Sequence, residues 1–337
     1  MHRSRPDDFV PPYPAFTSRY PPEQPEYLMA QVAVQSAPEA DGSALFDRVW
    51  RMARAAQEGR PQHVERGWHV DRAGFRNDIA MLYWKHAQEM NRFWARADVR
   101  AWLEEPCSGL VGWWRECIQA PTRALDANYS IARATWGSGR HVPQTEEQFH
   151  GYYGSMRDRT PDFLEGKADG PSGQLAFLPQ ADSLGRRLRV RVPDKACFIR
   201  AAFGWDQAQP EEQRAFMEDM YPVYKAGADF LRDNPLETNC VSARTVEHVP
   251  CGESSFVQSE TLAWFLTLAD LEHWTHRHPT HAAIYAGVFK LMNRFNFQMR
   301  LNLGHEVAVV ARASTILEYV NCHPQTGFLP FFPAMPL

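Results

Sequence analysis

Thr261-Leu-Ala-Trp-Phe-Leu-Thr-Leu-Ala-Asp-Leu-Glu-His-Trp-Thr275 runs through His276-Arg-His-Pro-Thr-His281 into Ala282-Ala-Ile-Tyr-Ala-Gly-Val-Phe289, and this stretch decides the fold. Its apolar start reads as a strand over Ser255–Leu266, followed by a helix over Leu268–Thr275. Pro279 suits the first position of a second helix. Counted from His281, the apolar residues Ile284, Tyr285, Val288, Phe289 and Met292 fall at helical spacing and form one continuous face. A strand over Leu303–Val310 completes the unit.

Upstream, the same order of elements appears: a strand over Asp78–Trp84, a helix over Ala87–Leu103 and a strand over Gly109–Ile118. The wording is echoed too. Tyr83-Trp84-Lys85 with Phe93-Trp94 matches Ala263-Trp264-Phe265 with His273-Trp274, and Gly112-Trp113-Trp114-Arg115-Glu116 matches Gly304-His305-Glu306-Val307. We therefore expect an α+β fold, an antiparallel β-barrel-like core made of two ferredoxin-like repeats (about 26–145 and 186–325) with helices outside and a pocket between sheet and helix.

The remaining segments fill in this plan. Residues 1–25, rich in proline, form an extended arm. Tyr27–Gln35 alternates like a strand, and Ala44–Gln57 and Gln213–Arg232 read as helices, the latter starting after Pro210-Glu-Glu. In Gly185-Arg-Arg-Leu-Arg-Val-Arg-Val192 basic and apolar residues alternate, giving a strand whose arginine side either faces solvent or meets carboxylates such as cofactor propionates. No flexible linker interrupts the chain, so residues 26–337 are expected to form one domain.

Composition narrows the function. The 337 residues are 44% hydrophobic and 23% charged, with a net charge of −4 and no basic tract, which argues against a nucleic-acid partner. No apolar run is long enough to span a bilayer. Six cysteines without a CxxC pair, and a proline- and charge-rich start where a secretory signal would need an apolar core, point to the cytoplasm. The 11 Trp, 11 Tyr and 20 Phe could wall a flat apolar cofactor, though such rings are more often plain core.

His281 is the residue that asks for an explanation. In the first turn of its helix the dipole disfavours imidazolium, and a neutral imidazole in an apolar slot is what a haem iron needs from a protein ligand. Read alone, such a histidine serves more readily as a hydrogen-bonded core residue. Zinc is a third reading, since His273, His276, His278 and His281 are crowded together, but no cysteine or carboxylate at matching spacing completes a tetrahedral set.

Several words of the sequence resemble the haem-containing aldoxime dehydratases. They are His150-Gly-Tyr-Tyr-Gly-Ser-Met-Arg-Asp-Arg159, Asp229-Phe-Leu-Arg-Asp-Asn234, His278-Pro-Thr-His281, Gly304-His305-Glu-Val and Glu318-Tyr-Val-Asn-Cys-His-Pro-Gln-Thr-Gly327, in order from about Tyr27 to Gly327. The resemblance implies a homodimer that carries haem b and dehydrates a small hydrophobic aldoxime to a nitrile, the substrate nitrogen bound to ferrous iron. It further implies His281 as the iron ligand, with Ile284, Tyr285 and Val288 along the cofactor. His305 is implied as the distal acid–base residue and Arg159 as its positioning partner, while Asp126 stands where the family has a glutamate.

One departure stands out. The family's Ile-Arg-Ser word, whose serine is implied to bond the oxime oxygen, is Ile199-Arg200-Ala201 here, and alanine donates no hydrogen bond. Losing a preorganised donor costs roughly 100- to 1000-fold in rate. Two further readings follow. The same haem scaffold could perform diverged nitrogen chemistry, such as N–N bond formation or rearrangement of an N-hydroxylated compound. It could also bind or sense haem without catalysis, although a distal His305–Arg159 pair is of little use to a passive binder.

Overall fold

The computed structural model describes residues 3–55, 58–179, 181–205, 207–249 and 259–337. After the short strand β1 (Phe16–Ser18) come β2 (Glu26–Ser36), α1 (Ser43–Arg54), β3 (His63–Val70), β4 (Arg76–Trp84), α2 (Ala87–Ala95), α3 (Ala97–Glu104) and β5 (Val111–Pro121). A connecting region holds β6 (Leu125–Tyr129), β7 (Gln144–Glu146), α4 (Ser155–Arg159), α5 (Pro161–Leu164) and β8 (Arg187–Val190). The second half contains β9 (Cys197–Gly204), α6 (Pro210–Ala215), α7 (Tyr221–Asp233), α8 (Pro235–Thr238), β10 (Cys240–His248), β11 (Ser259–Phe265), α9 (Leu268–Arg277), α10 (Pro279–Arg294) and β12 (Asn302–Val309). β13 (Ile316–Val320) and β14 (Ala334–Pro336) follow.

Among the described residues all strands lie in one antiparallel sheet of order β14-β8-β13-β5-β2-β4-β3-β10-β11-β9-β12-β6-β1-β7. Within it, β5-β2-β4-β3 and β12-β9-β11-β10 follow the same rule, each half reading fourth, first, third, second strand along the sheet. Among the described residues the halves join at β3 and β10 through two ladder pairs, Glu247↔Trp68 and His248↔Gly67, continued by the Val249 N–H on the Arg66 carbonyl. The sheet curls so that the two halves share an inner core: Tyr27, Met29, Met81 and Trp114 from the first pack with Phe198, Leu262, Trp264 and Ala308 from the second. Strand β2 is buried on both faces, its alternate residues Leu28, Ala30, Val32 and Val34 lying under α1–α3.

Several expectations need correction. The single helix over Ala87–Leu103 is broken at Arg96, whose backbone is extended and whose guanidinium binds Asp98 and the Met52 carbonyl. The helix over Gln213–Arg232 starts at Pro210 and passes through a π-helical turn, Phe216–Met220. Pro222, which has no N–H to give the preceding turn, lies just beyond that irregularity. Residues 255–258 of the expected Ser255–Leu266 strand, and Ala56 and Gln57 of the first helix, lie outside the described residues. β8 and β13, assigned by sequence to the second repeat, extend the first half beside β5. There Arg187 pairs with Glu318.

The inner face also carries charge. Arg200 is fully buried and paired with Glu65 and Glu260, and Arg244 grips Glu116 at 2.6 and 2.9 Å. Glu306 accepts the hydroxyls of Tyr27, Tyr83 and Tyr129 and the Ser138 N–H. Such groups persist in a core only when every partner is present. Among the described residues no helix is long and apolar enough to cross a membrane.

Candidate active site

The outer face of the second half, beneath α7, α9 and α10, holds the site. Register places it: His305 on β12 lies opposite Asn128 of β6 on one side and Ala201 of β9 on the other, and Ala201 lies opposite Thr261 of β11. Asp126 opposes Val307, two residues from His305, so its side chain shares the His305 face. Arg200 and Glu306, one residue away, point to the inner core instead.

Asp126 is buried and receives Arg159 bidentately, Nε to Oδ1 and Nη2 to Oδ2, both at 2.6 Å. His305 Nε2 lies 2.7 Å from Asp126 Oδ2 and 3.3 Å from Arg159 Nη2. A ring nitrogen cannot donate to the carboxylate and accept from the guanidinium at once, and the shorter contact decides: Nε2–H donates to Asp126. His305 Nδ1 then remains without a partner among the described residues, on a side chain 33% exposed. The Arg159 and His305 charges hold the Asp126 carboxyl far below its usual range despite a burial effect that opposes them. Arg159 is itself anchored by the Phe149 carbonyl and the Ser155 hydroxyl.

Across from this trio stands α10. Pro279 occupies its first turn as expected, and the His278 ring caps it by accepting the Thr280 N–H. His281 packs edge-on against Trp274 with ring centres 4.8 Å apart. Its buried Nδ1 has no hydrogen bond of proper geometry, the Thr275 carbonyl lying nearby. Burial above all, with His276 and His305 adding repulsion, lowers its pKa to about 4, so the imidazole is neutral at pH 7.

A family model for haem-containing dehydratases matches residues 30–328. The chain belongs to this family. It is 32% identical over 336 residues to the phenylacetaldoxime dehydratase of Bacillus sp. (strain OxB-1), covering 98% of this chain and 95% of that one. The aliphatic aldoxime dehydratase of Rhodococcus erythropolis is 28% identical over 339 residues, with 98% and 94% covered. Among solved structures, an aldoxime dehydratase superposes with a TM-score of 0.86 at 28% identity (98% and 95% covered), and one in complex with butyraldoxime with 0.88 at 28% (98% and 92% covered).

The residues of this haem-containing dehydratase fit the cofactor. Of α10 only Leu291 and Met292 are buried, whereas Ile284 and Val288, on the helix face that meets the second-half cluster, stay half-exposed, as do Ala201, Leu303 and His305 on the sheet. A helix packed directly on a sheet would seal such residues. Together with a neutral imidazole they form a largely apolar, incompletely covered lining, the kind of surroundings haem requires. The Tyr285 hydroxyl donates to the Gly151 carbonyl and its ring stacks on Tyr153, so it braces the loop before α4. The zinc reading gains nothing, since among the described residues the histidines from 273 to 281 do not converge. The one such group, Glu65, His248 and Glu260, is buried around the Arg200 guanidinium.

Two site neighbours had no signal in the sequence. Tyr224 of α7 donates to the Ala201 carbonyl at 3.0 Å and lies 2.7 Å from the Thr261 hydroxyl, which leaves the Ala201 methyl between His305 and a hydroxyl pair. Only strand register reveals Thr261, and only helix packing reveals Tyr224.

Proposed function

We propose that this protein dehydrates an aldoxime to a nitrile, with haem b held by His281 and with His305, Asp126 and Arg159 as the proton-handling group. The observation that carries the reading is the Asp126–His305 pair, fixed by Arg159, in the second half's sheet and facing the helix of His281. Haem, held by His281, would supply an electron-rich iron able to polarise the N–O bond of an oxime.

The chain's own residues then manage one proton. Asp126 fixes the ring by its bond to Nε2 and stabilises the imidazolium, so Nδ1 is the nitrogen that faces substrate. As imidazolium, His305 gives this proton to the departing hydroxyl, which leaves as water; as imidazole, it recovers a proton from the oxime carbon. One C–H and one N–O bond break, a C≡N bond and water form, and His305 ends as it began. Arg159 keeps the carboxylate charged and aligned. Ile284 and Val288 supply apolar wall for the cofactor and a hydrophobic substrate.

Similarity along nearly the whole chain to relatives named for aldoxime dehydration favours this reaction over diverged nitrogen chemistry, and the built acid–base pair favours catalysis over haem sensing. Haem-loaded, dithionite-reduced protein should convert phenylacetaldoxime to nitrile under anaerobic conditions. His305→Ala should lower kcat by roughly 100- to 10,000-fold with haem content unchanged; a variant that keeps wild-type turnover ends the proposed role.

The wider architecture belongs to the same proposal. Shared strand order supports two ferredoxin-like repeats, their cores at Glu26–Pro121 and Cys197–Val309, within one domain 26–337. The arm 1–25 is stitched on by β1 and by Ser4 on Asp158. A homodimer follows from the family resemblance. A cytoplasmic location accords with the free thiols of Cys107, Cys117, Cys197, Cys240 and Cys322.

A further inference from the structure

Among the described residues the halves of the sheet meet through a short ladder, Glu247↔Trp68 and His248↔Gly67, and where β10 parts from β3 the structure opens a cavity of about 620 Å³. It lies away from His281 and His305, between β10, the β3–β4 turn, the outer side of α7 and the C-terminal segment from His323 to Phe331. That volume is in the range of small-molecule sites.

Its charges are already spoken for. Arg244 is bound to Glu116, Arg232 to Asp229 and Asp233, and Lys225 to Asp229. Arg72 lies 3.4 Å from Asp233, Asp71 receives His323 and Asn77, and Glu247 receives the Tyr221 hydroxyl. An ionised ligand would have to compete with the charge already paired to each of these groups, and at the buried Arg244–Glu116 pair that competition is costly.

Two neutral lining groups, by contrast, have atoms without partners among the described residues. His69 is only 8% exposed, and its Nδ1 is buried without a hydrogen bond; the Ser242 hydroxyl is buried in the same state. Burial and the nearby Arg244 lower the His69 pKa to about 3, so it offers one donor and one acceptor at neutral pH. Buried polar atoms left without partners are costly, which is a reason to look for what satisfies them. The rim is apolar, with Val70, Phe177 and Leu178 exposed to an extent unusual for such residues.

The geometry points to this seam as a second binding site, for an uncharged amphipathic molecule whose hydroxyl- or oxime-type head bonds His69 and Ser242 while an aryl or alkyl body rests on the Val70–Phe177–Leu178 rim. The inference stands whether or not the aldoxime reading holds.

The test titrates 2-phenylethanol into haem-loaded protein whose iron is blocked with cyanide, read by calorimetry with the Soret band recorded alongside. We expect one molecule per chain with the Soret band unmoved, and at least tenfold weaker binding of the charged analogue phenylacetate. His69→Phe, which fills the space, should abolish binding, and the shape-conserving Ser242→Val should weaken it several-fold, both with a wild-type Soret band as the check on folding. No binding by the parent protein, equal binding of phenylacetate, or parent-like affinity in either folded variant overturns the proposal.

Discussion

The two halves share a strand order and even some wording, yet they treat the space between sheet and helices in opposite ways. In the first half it is filled: Phe46, Val49, Phe93, Trp102 and Trp113 are buried there against Val32, Val34, Ala80 and Leu82. In the second half the apolar residues gather into two separate clusters, one around Phe265, Leu271 and Trp274 and the other around Phe203, Phe216 and Leu291. Between them run His305, Ala201 and Thr261, with His281 on the covering helix. One topology thus yields a solid core where large rings interdigitate and a site where small and polar residues replace them. The lesson is that a repeat becomes a binding site by what its facing residues omit.

The largest effect that sharpens this contrast is expected in the first half. Trp102 packs at a tilt against Trp113, ring centres 5.0 Å apart, and donates to the Leu45 carbonyl, so Trp102→Ala should cost about 3–5 kcal/mol of stability. Denaturant unfolding measures it, and the haem spectrum of the folded variant should stay as it was. A displaced spectrum would mean the halves are not independent in this respect.

A smaller effect is expected at the methyl between the polar groups. Ala201→Ser places a hydroxyl beside His305 and should raise kcat for an aldoxime by roughly 10- to 100-fold. An unchanged kcat would assign the needed hydrogen bond to the Tyr224–Thr261 pair.

Acid should separate the protein from its unfolded state more gently. Burial lowers His69 and His141 to about 3 and His150 to about 4, against about 6.5 in an unfolded chain. Their stabilisation is whole above about pH 6.5 and is lost as pH falls toward those lower values, because unfolding then takes up protons. Asp126, held well below its ordinary range, stays charged in that window and adds nothing to the trend. Tm should therefore fall steadily from pH 7 to pH 5; a flat or rising Tm contradicts the buried, neutral state of these rings.

How much of this was legible in the sequence follows from where polar residues point. The start of α10 at Pro279, its apolar face, β12 and the echo between the halves could all be read, because their apolar periodicity is unbroken. The words around His305, Arg159 and His281 marked the candidate site, and the structure brings His305 and Arg159 together on Asp126. Strands β3, β9 and β10 were missed or blurred because Glu65, Arg200 and Arg244 point inward and are paired there, which inverts the usual polar-out pattern.

The central claim is that His281 holds the iron on the wall opposite His305. Haem titration followed by the Soret band tests it most directly, comparing the parent protein with His281→Ala in the absence and presence of free imidazole. The account predicts one haem per chain, loss of the parent band in the variant and its return when imidazole fills the vacated position. A variant whose spectrum matches the parent without imidazole contradicts it.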